Sequence, residues 1–254
     1  EYGHVLADLG KTDMAIVHLK LAVEQDPTLE RARGRLAALS AMAGAPGQHH
    51  EAQPETADAA LSEAIAQLGV QSEADRLKAI RTLVLAGPKA VSILVKTLGD
   101  DSVSARARTG AAFALGKIGR PAVGQLATLL RSGDHAAKSG AARALREMGT
   151  PSVGAQSELI GILIAKVRSK EDEKLRAIAA EALIKLGPST IAPIVQAMAA
   201  AGDDVSAGGA AVVVAAHGQD GIQELRRLQE SAGGSAAQVA TDLLPVAAAT
   251  ASTA

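Results

Sequence analysis

The chain has 254 residues and is nearly half apolar, yet it holds one tyrosine, one phenylalanine and no tryptophan. Aromatic rings supply much of the buried area in ordinary cores, so here alanine and the branched aliphatics must do the packing, which suits thin, closely spaced helix pairs. A net charge of −1 excludes a global field for nucleic acid or an anionic membrane, the lack of cysteine excludes disulfides, thiolate metal sites and thiol nucleophiles, and no apolar run reaches the roughly 18 residues that span a bilayer.

In residues 1–27, Gly3, Leu6, Gly10, Ala15, Leu19, Ala22 and Pro27 are spaced as in a helix hairpin. Gly3 and Ala15 are small where two helices would cross, Gly10 lies at the turn, and Pro27 cannot continue the second helix. The set resembles most of one tetratricopeptide repeat, a 34-residue helix pair. Leu29, Ala32, Leu36 and Leu39 then predict a third helix over 28–42, and the resemblance implies that it covers the open end of the repeat. The chain opens in mid-motif, without an initiator methionine or signal peptide, and so reads as a fragment or a processed product.

Residues 43–57 (AGAPGQHHEAQPETA) carry prolines, glycines and polar side chains, the composition of a linker. His49, His50 and Glu51 are good ligand types, but neighbouring residues cannot easily converge on one ion and no second cluster completes a shell. We therefore expect no metal. From Asp58 the helical period returns: Leu61, Ile65 and Leu68 form a stripe that Gly69 ends. This reads as a half-repeat covering one end of a repeat array.

From Arg76 to Gly218 one phrase is written five times. Each copy closes on a glycine: Gly87, Gly119, Gly149, Gly187 and Gly218, at spacings of 32, 30, 38 and 31. Eight residues earlier stands alanine (Ala79, Ala111, Ala141, Ala179, Ala210), and four earlier Leu83, Leu115, Leu145, Leu183 or Val214. Four later stands Val91, Val123, Val153, Ile191 or Ile222. Pro88, Pro121, Pro151 and Pro188 come just after the first four glycines, where they pre-set φ for a new helix and forfeit no needed N–H. A fixed period in this range marks a stack of helix hairpins, with each glycine expected in a left-handed cap. The phrases ARTGAAFALGKIGRPAVGQLATLL, AAKSGAARALREMGTPSV and LRAIAAEALIKLGPSTIAPIVQAM resemble HEAT repeats, in particular the short type of phycobilin lyases and bacterial scaffold proteins.

The predicted fold is therefore all-α: an α-solenoid, implied by the resemblance to be a right-handed superhelix of hairpins. The expected segments are 1–42 (tetratricopeptide-like), 43–57 (linker), 58–247 (half-repeat, five HEAT-like units, terminal helix) and 248–254 (a disordered tail). The third unit is longer by six to eight residues, placed by the pattern in its second helix over 156–168. The fifth unit lacks the proline and reads as a degenerate end.

A base stands eleven residues before four of the glycines (Arg76, Arg108, Lys138, Arg176), with acids ahead of those helices (Glu73, Asp101, Asp134, Asp172). The acids suit N-caps, and the bases suit a ladder reaching neighbouring units, so this row is expected to be structural. The second helices of the repeats carry a polar, mildly basic set: Lys89, Ser92, Lys96, Gln125, Thr128, Arg131, Lys166, Gln196, Gln223, Arg226 and Arg227. In HEAT-like folds such helices line the concave face. From that set Lys89, Lys96, Gln125, Arg131, Lys166, Gln196 and Arg227 are the candidate partner-binding residues, suited to an acidic protein segment.

No Walker loop, dinucleotide fingerprint or Gly-x-Ser-x-Gly elbow is present, and the remaining histidines (His4, His18, His135, His217) are scattered. His217 takes the place held by Ile118, Met148 and Leu186 in other units, which predicts a packed or half-exposed side chain. The expectation is a non-enzymatic, bacterial-type interaction scaffold within a larger complex. It would use no cofactor, bind no nucleic acid and insert into no membrane. The cytoplasm is favoured over the cell envelope or periplasm. Two alternatives are the accessory or C-terminal region of an enzyme or cofactor-carrying protein whose functional domain lies upstream, and a bilin-lyase-like chaperone.

Overall fold

The computed structural model describes residues 16, 19, 20, 23, 29–43, 54–202 and 205–251. These are helical with turns and short coil, and no strand occurs among them. The fold is all-α. The chain divides into two compact units, 1–54 and 55–254.

Most of the tetratricopeptide-like hairpin lies outside the described residues, as do His49, His50 and Glu51 of the linker. In the first unit, helix α1 (Glu30–Ala43) places Ala32 and Leu39 in a small core with Leu19. Ile16, Val23 and Leu36 pack around them. Leu29, expected on the buried stripe, precedes the helix and is 43% exposed.

The second unit starts within α2 (Pro54–Gln67), which takes the last four residues of the expected linker. Proline suits a helix start because its missing N–H has no partner there. After it come α3 (Glu73–Ala86), α4 (Pro88–Leu98), α5 (Ala105–Ile118), α6 (Val123–Ser132), α7 (His135–Met148), α8 (Gln156–Ile164), α9 (Lys170–Leu186), α10 (Ile191–Ala201), α11 (Ala207–Ala216), α12 (Gly218–Ser231) and α13 (Gly234–Ala251). The odd helices pack in succession, α3 on α5, α5 on α7, α7 on α9, α9 on α11 and α11 on α13. So do the even ones, α4 on α6, α6 on α8, α8 on α10 and α10 on α12. The result is two layers of helices with one leucine- and alanine-rich core running between them.

Each turn between layers repeats one construction. Gly87, Gly119, Gly149 and Gly187 have φ of 57, 82, 68 and 94°. Their ψ values, from −130° at Gly87 to 177° at Gly187, lie in the mirror of the β region rather than the expected left-handed helical region. Only glycine enters that region readily. The carbonyl of each then accepts from the N–H three residues on, at Ala90, Ala122, Ser152 and Thr190. Ser152 and Thr190 are buried, and their hydroxyls donate to the same carbonyls at 2.7 and 2.9 Å, which removes the cost of burying them. Helix contacts are close enough to require glycine elsewhere. A Cβ on Gly116 of α5 would stand 2.5 Å from Glu147 Cβ of α7.

Three expectations need correction. The extra residues of the third unit do not lengthen its second helix: α8 has only nine residues. They go into a six-residue 3-10 turn over Thr150–Ala155, where the second and fourth units have three, and into α9, which has 17 residues against 14 in α5 and α7. The wide turn also swings Val153 outward, 56% exposed, away from the buried row of Val91 and Ile191. Finally, α13 runs past Leu244, through Pro245 and into the tail expected to be disordered. Proline breaks one helical hydrogen bond, but Ala240, Leu243 and Ala247 are buried on one stripe that spans the break. The helix touches α10, α11 and α12 together, so the fifth unit is a covered hairpin rather than an open end.

Candidate partner-binding surface

The even helices bury one stripe and expose the other. In α4, Ala90, Val91, Leu94 and Leu98 are buried, while Lys89, Ser92 and Lys96, spaced by one and two turns, are exposed. In α6, Leu126, Ala127 and Leu130 are buried, and Gln125, Thr128 and Arg131 are exposed. Gln196 on α10 and Gln223, Arg226 and Arg227 on α12 are exposed as well. Two contacts join neighbouring helices across this face. Gln125 donates from Nε2 to Ser92 Oγ, 3.4 Å away, linking α6 to α4. Arg131 pairs with Glu158, linking α6 to α8.

Glu158 is an acid that the pattern of basic and amide residues did not foretell. Burial would push its carboxyl up, but hydrogen bonds from Ser157 and its own backbone N–H, with Arg131 beside it, hold it below the usual carboxylate range. Arg131 also donates to Thr128 Oγ1 at 3.2 Å. It is therefore anchored at both ends of its guanidinium. Arg227 pairs within its own helix with Glu224 at 3.3 Å. Lys166 lies not on a helix but in the extended segment after α8, exposed.

The expected ladder of bases is rearranged. Arg108 reaches Asp101, 3.5 Å away, just ahead of its own helix, and Arg176 donates to Ser206 Oγ of the next unit at 2.9 Å. Lys138 makes no ion pair among the described residues. Cross-unit polar contacts come instead from Arg106 to Gln71 (2.6 Å), Arg146 to Glu181 (2.5 Å) and His135 to Asp172 (3.7 Å). Of the acids expected as N-caps only Asp134 serves, accepting from the Ala137 N–H. Serine caps the other helices, with Ser72, Ser104 and Ser169 accepting from the N–H three residues on. The Ser-x-x-Asp pattern at Ser72 and Ser169 is a helix-start signal that the sequence carries. The Arg168 N–H holds the Asp172 carboxyl below its ordinary range, with Ser169 and His135 assisting against burial.

Arg131, Lys138 and Lys166 come together at a groove of about 410 Å³ between the ends of α6 and α8 and the starts of α7 and α9. Lys89, Lys96 and Gln125 share the neighbouring part of the even face. No group of three or more histidine, aspartate or glutamate residues among the described residues could hold a metal ion. No single described helix is long and apolar enough to cross a membrane.

No family model and no curated protein matches the chain. Among solved structures it is similar to the crystal structure of an engineered protein from the Northeast Structural Genomics Consortium. The two are 20% identical over 74% of this chain and 98% of that one, with a TM-score of 0.37. A likeness of that size carries no argument, and function must be reasoned from the residues.

Proposed function

We propose that this protein is a non-enzymatic interaction scaffold, a HEAT-like α-solenoid carrying a tetratricopeptide-like segment, which holds an acidic segment of a partner protein on the exposed face of its even helices. The observation that carries this reading is the make-up of that face on α4 and α6. It presents lysine, serine, glutamine, threonine and arginine, continued from one helix to the next through Gln125 and Ser92. A two-layer support that presents polar and basic residues on adjoining helices is suited to recognition by complementary charge.

Arg131 is held by Glu158, so the test falls on Lys89 and Lys96. Reversing both to glutamate should abolish affinity capture of the proteins that wild type enriches, scored by mass spectrometry. Stability should change by less than about 0.5 kcal/mol per site, as is usual for exposed charges. Capture by wild type should also weaken as salt is raised, because exposed charges are screened beyond about 8 Å at physiological ionic strength. Equal recovery of the same proteins by the double variant would remove the even face from consideration.

A further inference from the structure

The groove where Arg131, Lys138 and Lys166 meet has a property that the fold does not require. Its lining includes Gly161, in the middle of α8. Other helix-interior glycines of the array have a packing reason: Gly110, Gly116, Gly140, Gly209 and Gly221 all face a neighbour within about 3 Å of where a Cβ would stand. Gly124 and Gly208, which face nothing, sit in the first turn of their helices. Gly161 has no positive φ, and a Cβ there would meet nothing within 4 Å. Glycine is unfavourable inside a helix, and at this position what its missing side chain does is leave the groove open.

Beside Gly161 the floor is apolar, formed by Leu130, Ile162 and Leu175. The rim holds three permanent cations, Arg131, Lys138 and Lys166, against two carboxylates, Glu158 and Asp172, with His135 alongside. Both carboxylates are already engaged. Glu158 is held by Arg131 and Ser157, and Asp172 by the Arg168 N–H. The half-buried Lys138 therefore lines a partly apolar groove and has no acidic partner among the described residues. An apolar floor beneath an unbalanced cation is complementary to an aliphatic side chain next to a carboxylate.

We propose that this groove is a docking site for an acidic–aliphatic peptide segment. The aliphatic side chain lies on Leu130, Ile162 and Leu175 over Gly161, and the adjacent carboxylate is held by Lys138 with the rim cations around it. This rests on the reading of the molecule as a protein-binding scaffold and names where an acidic partner is anchored.

The test is fluorescence anisotropy with three fluorescein-labelled decapeptides, alternating Glu–Leu, Gln–Leu and Lys–Leu, added to the full chain. The Glu–Leu peptide alone should bind. Lys138→Glu should weaken it about tenfold or more, as loss of a charged contact does. Gly161→Leu should remove binding without lowering the melting temperature, because it fills the groove and replaces a poor helix former. The Lys89→Glu/Lys96→Glu protein separates the two surfaces: Glu–Leu binding lost in Lys138→Glu and retained in the double variant places the anchor in the groove, and the reverse result places it on the even face and overturns the proposal. Equal binding of the Gln–Leu peptide, or full affinity in Lys138→Glu or Gly161→Leu, would overturn the proposal. So would complete competition by inorganic phosphate at constant ionic strength, which would make the groove a simple anion site.

Discussion

Gly119 turns the chain from one layer to the other at φ 82° and ψ −139°, and a Cβ there would meet nothing within 4 Å. The cost of replacing it is therefore backbone strain alone. Gly119→Ala should lose about 1–3 kcal/mol, the range for a residue held in a sparsely populated region. Urea melts of the variant would measure it, and an unchanged midpoint would mean that the turn relaxes without cost. His217 offers a second case. Its Nε2 is shut off from solvent with no hydrogen-bond partner, and burial lowers its pKa despite the opposing charge of Asp220. The folded protein thus takes up this proton at lower pH than the unfolded chain, whose histidine titrates at about 6.5. Stability from this group is complete above that pH and is lost as the pH falls below it, until the folded value is passed. His217→Leu, matching Leu186 in the same place of another unit, should flatten the melting temperature between about pH 7 and the folded value, a window set by the 6.5 reference. A slope as steep as that of wild type would assign the acid sensitivity elsewhere.

At the scale of elements, helix boundaries were legible because glycine and proline stand where the chemistry of the turn demands them. Gly87, Gly119, Gly149, Gly187 and Gly218 all have positive φ, and their places could be read from period alone. The ψ region was not legible, since a glycine's sequence is the same whether its turn is left-handed helical or mirror-β. The groove was half legible. Arg131 and Lys166 could be picked out as exposed cations, but Glu158 and Lys138 meet them only because α8 ends early at Ile164 and the chain extends before α9. The sequence shows the added length, and packing decides which element takes it up. Helix α13 was underestimated because Pro245 signals a stop, whereas the buried Leu243 and Ala247 on either side of it favour continuation. Truncation after Ser231 tests the balance. It should lower the melting temperature and increase binding of a hydrophobic dye, because Leu225 and Val213, both fully buried, belong to the core that α13 covers. Array ends need such covers. A truncated chain that melts as wild type does would make α13 an ornament.

At the scale of the second unit, helices of each layer touch chiefly the next helix of that layer and the helices flanking it. Contacts between neighbouring helices of a layer therefore join residues about one repeat apart in sequence, and repeats here are 30 to 38 residues long by their glycines. Proteins with such local contacts pay little loop-closure entropy before packing rewards them, and they fold quickly for their size. Ordering can begin at any hairpin and spread to its neighbours, as in a one-dimensional chain of coupled spins. The layers also make amide exchange position-dependent. Hairpins flanked on both sides, such as α5–α6 and α7–α8, open only after a neighbour has opened, so their protons exchange more slowly than those of α3, which has its layer partner α5 on one side. Under mild denaturant the array can then shed hairpins from its ends before its centre gives way. The free energy measured by any one probe belongs to the hairpins around that probe and to the interfaces they share.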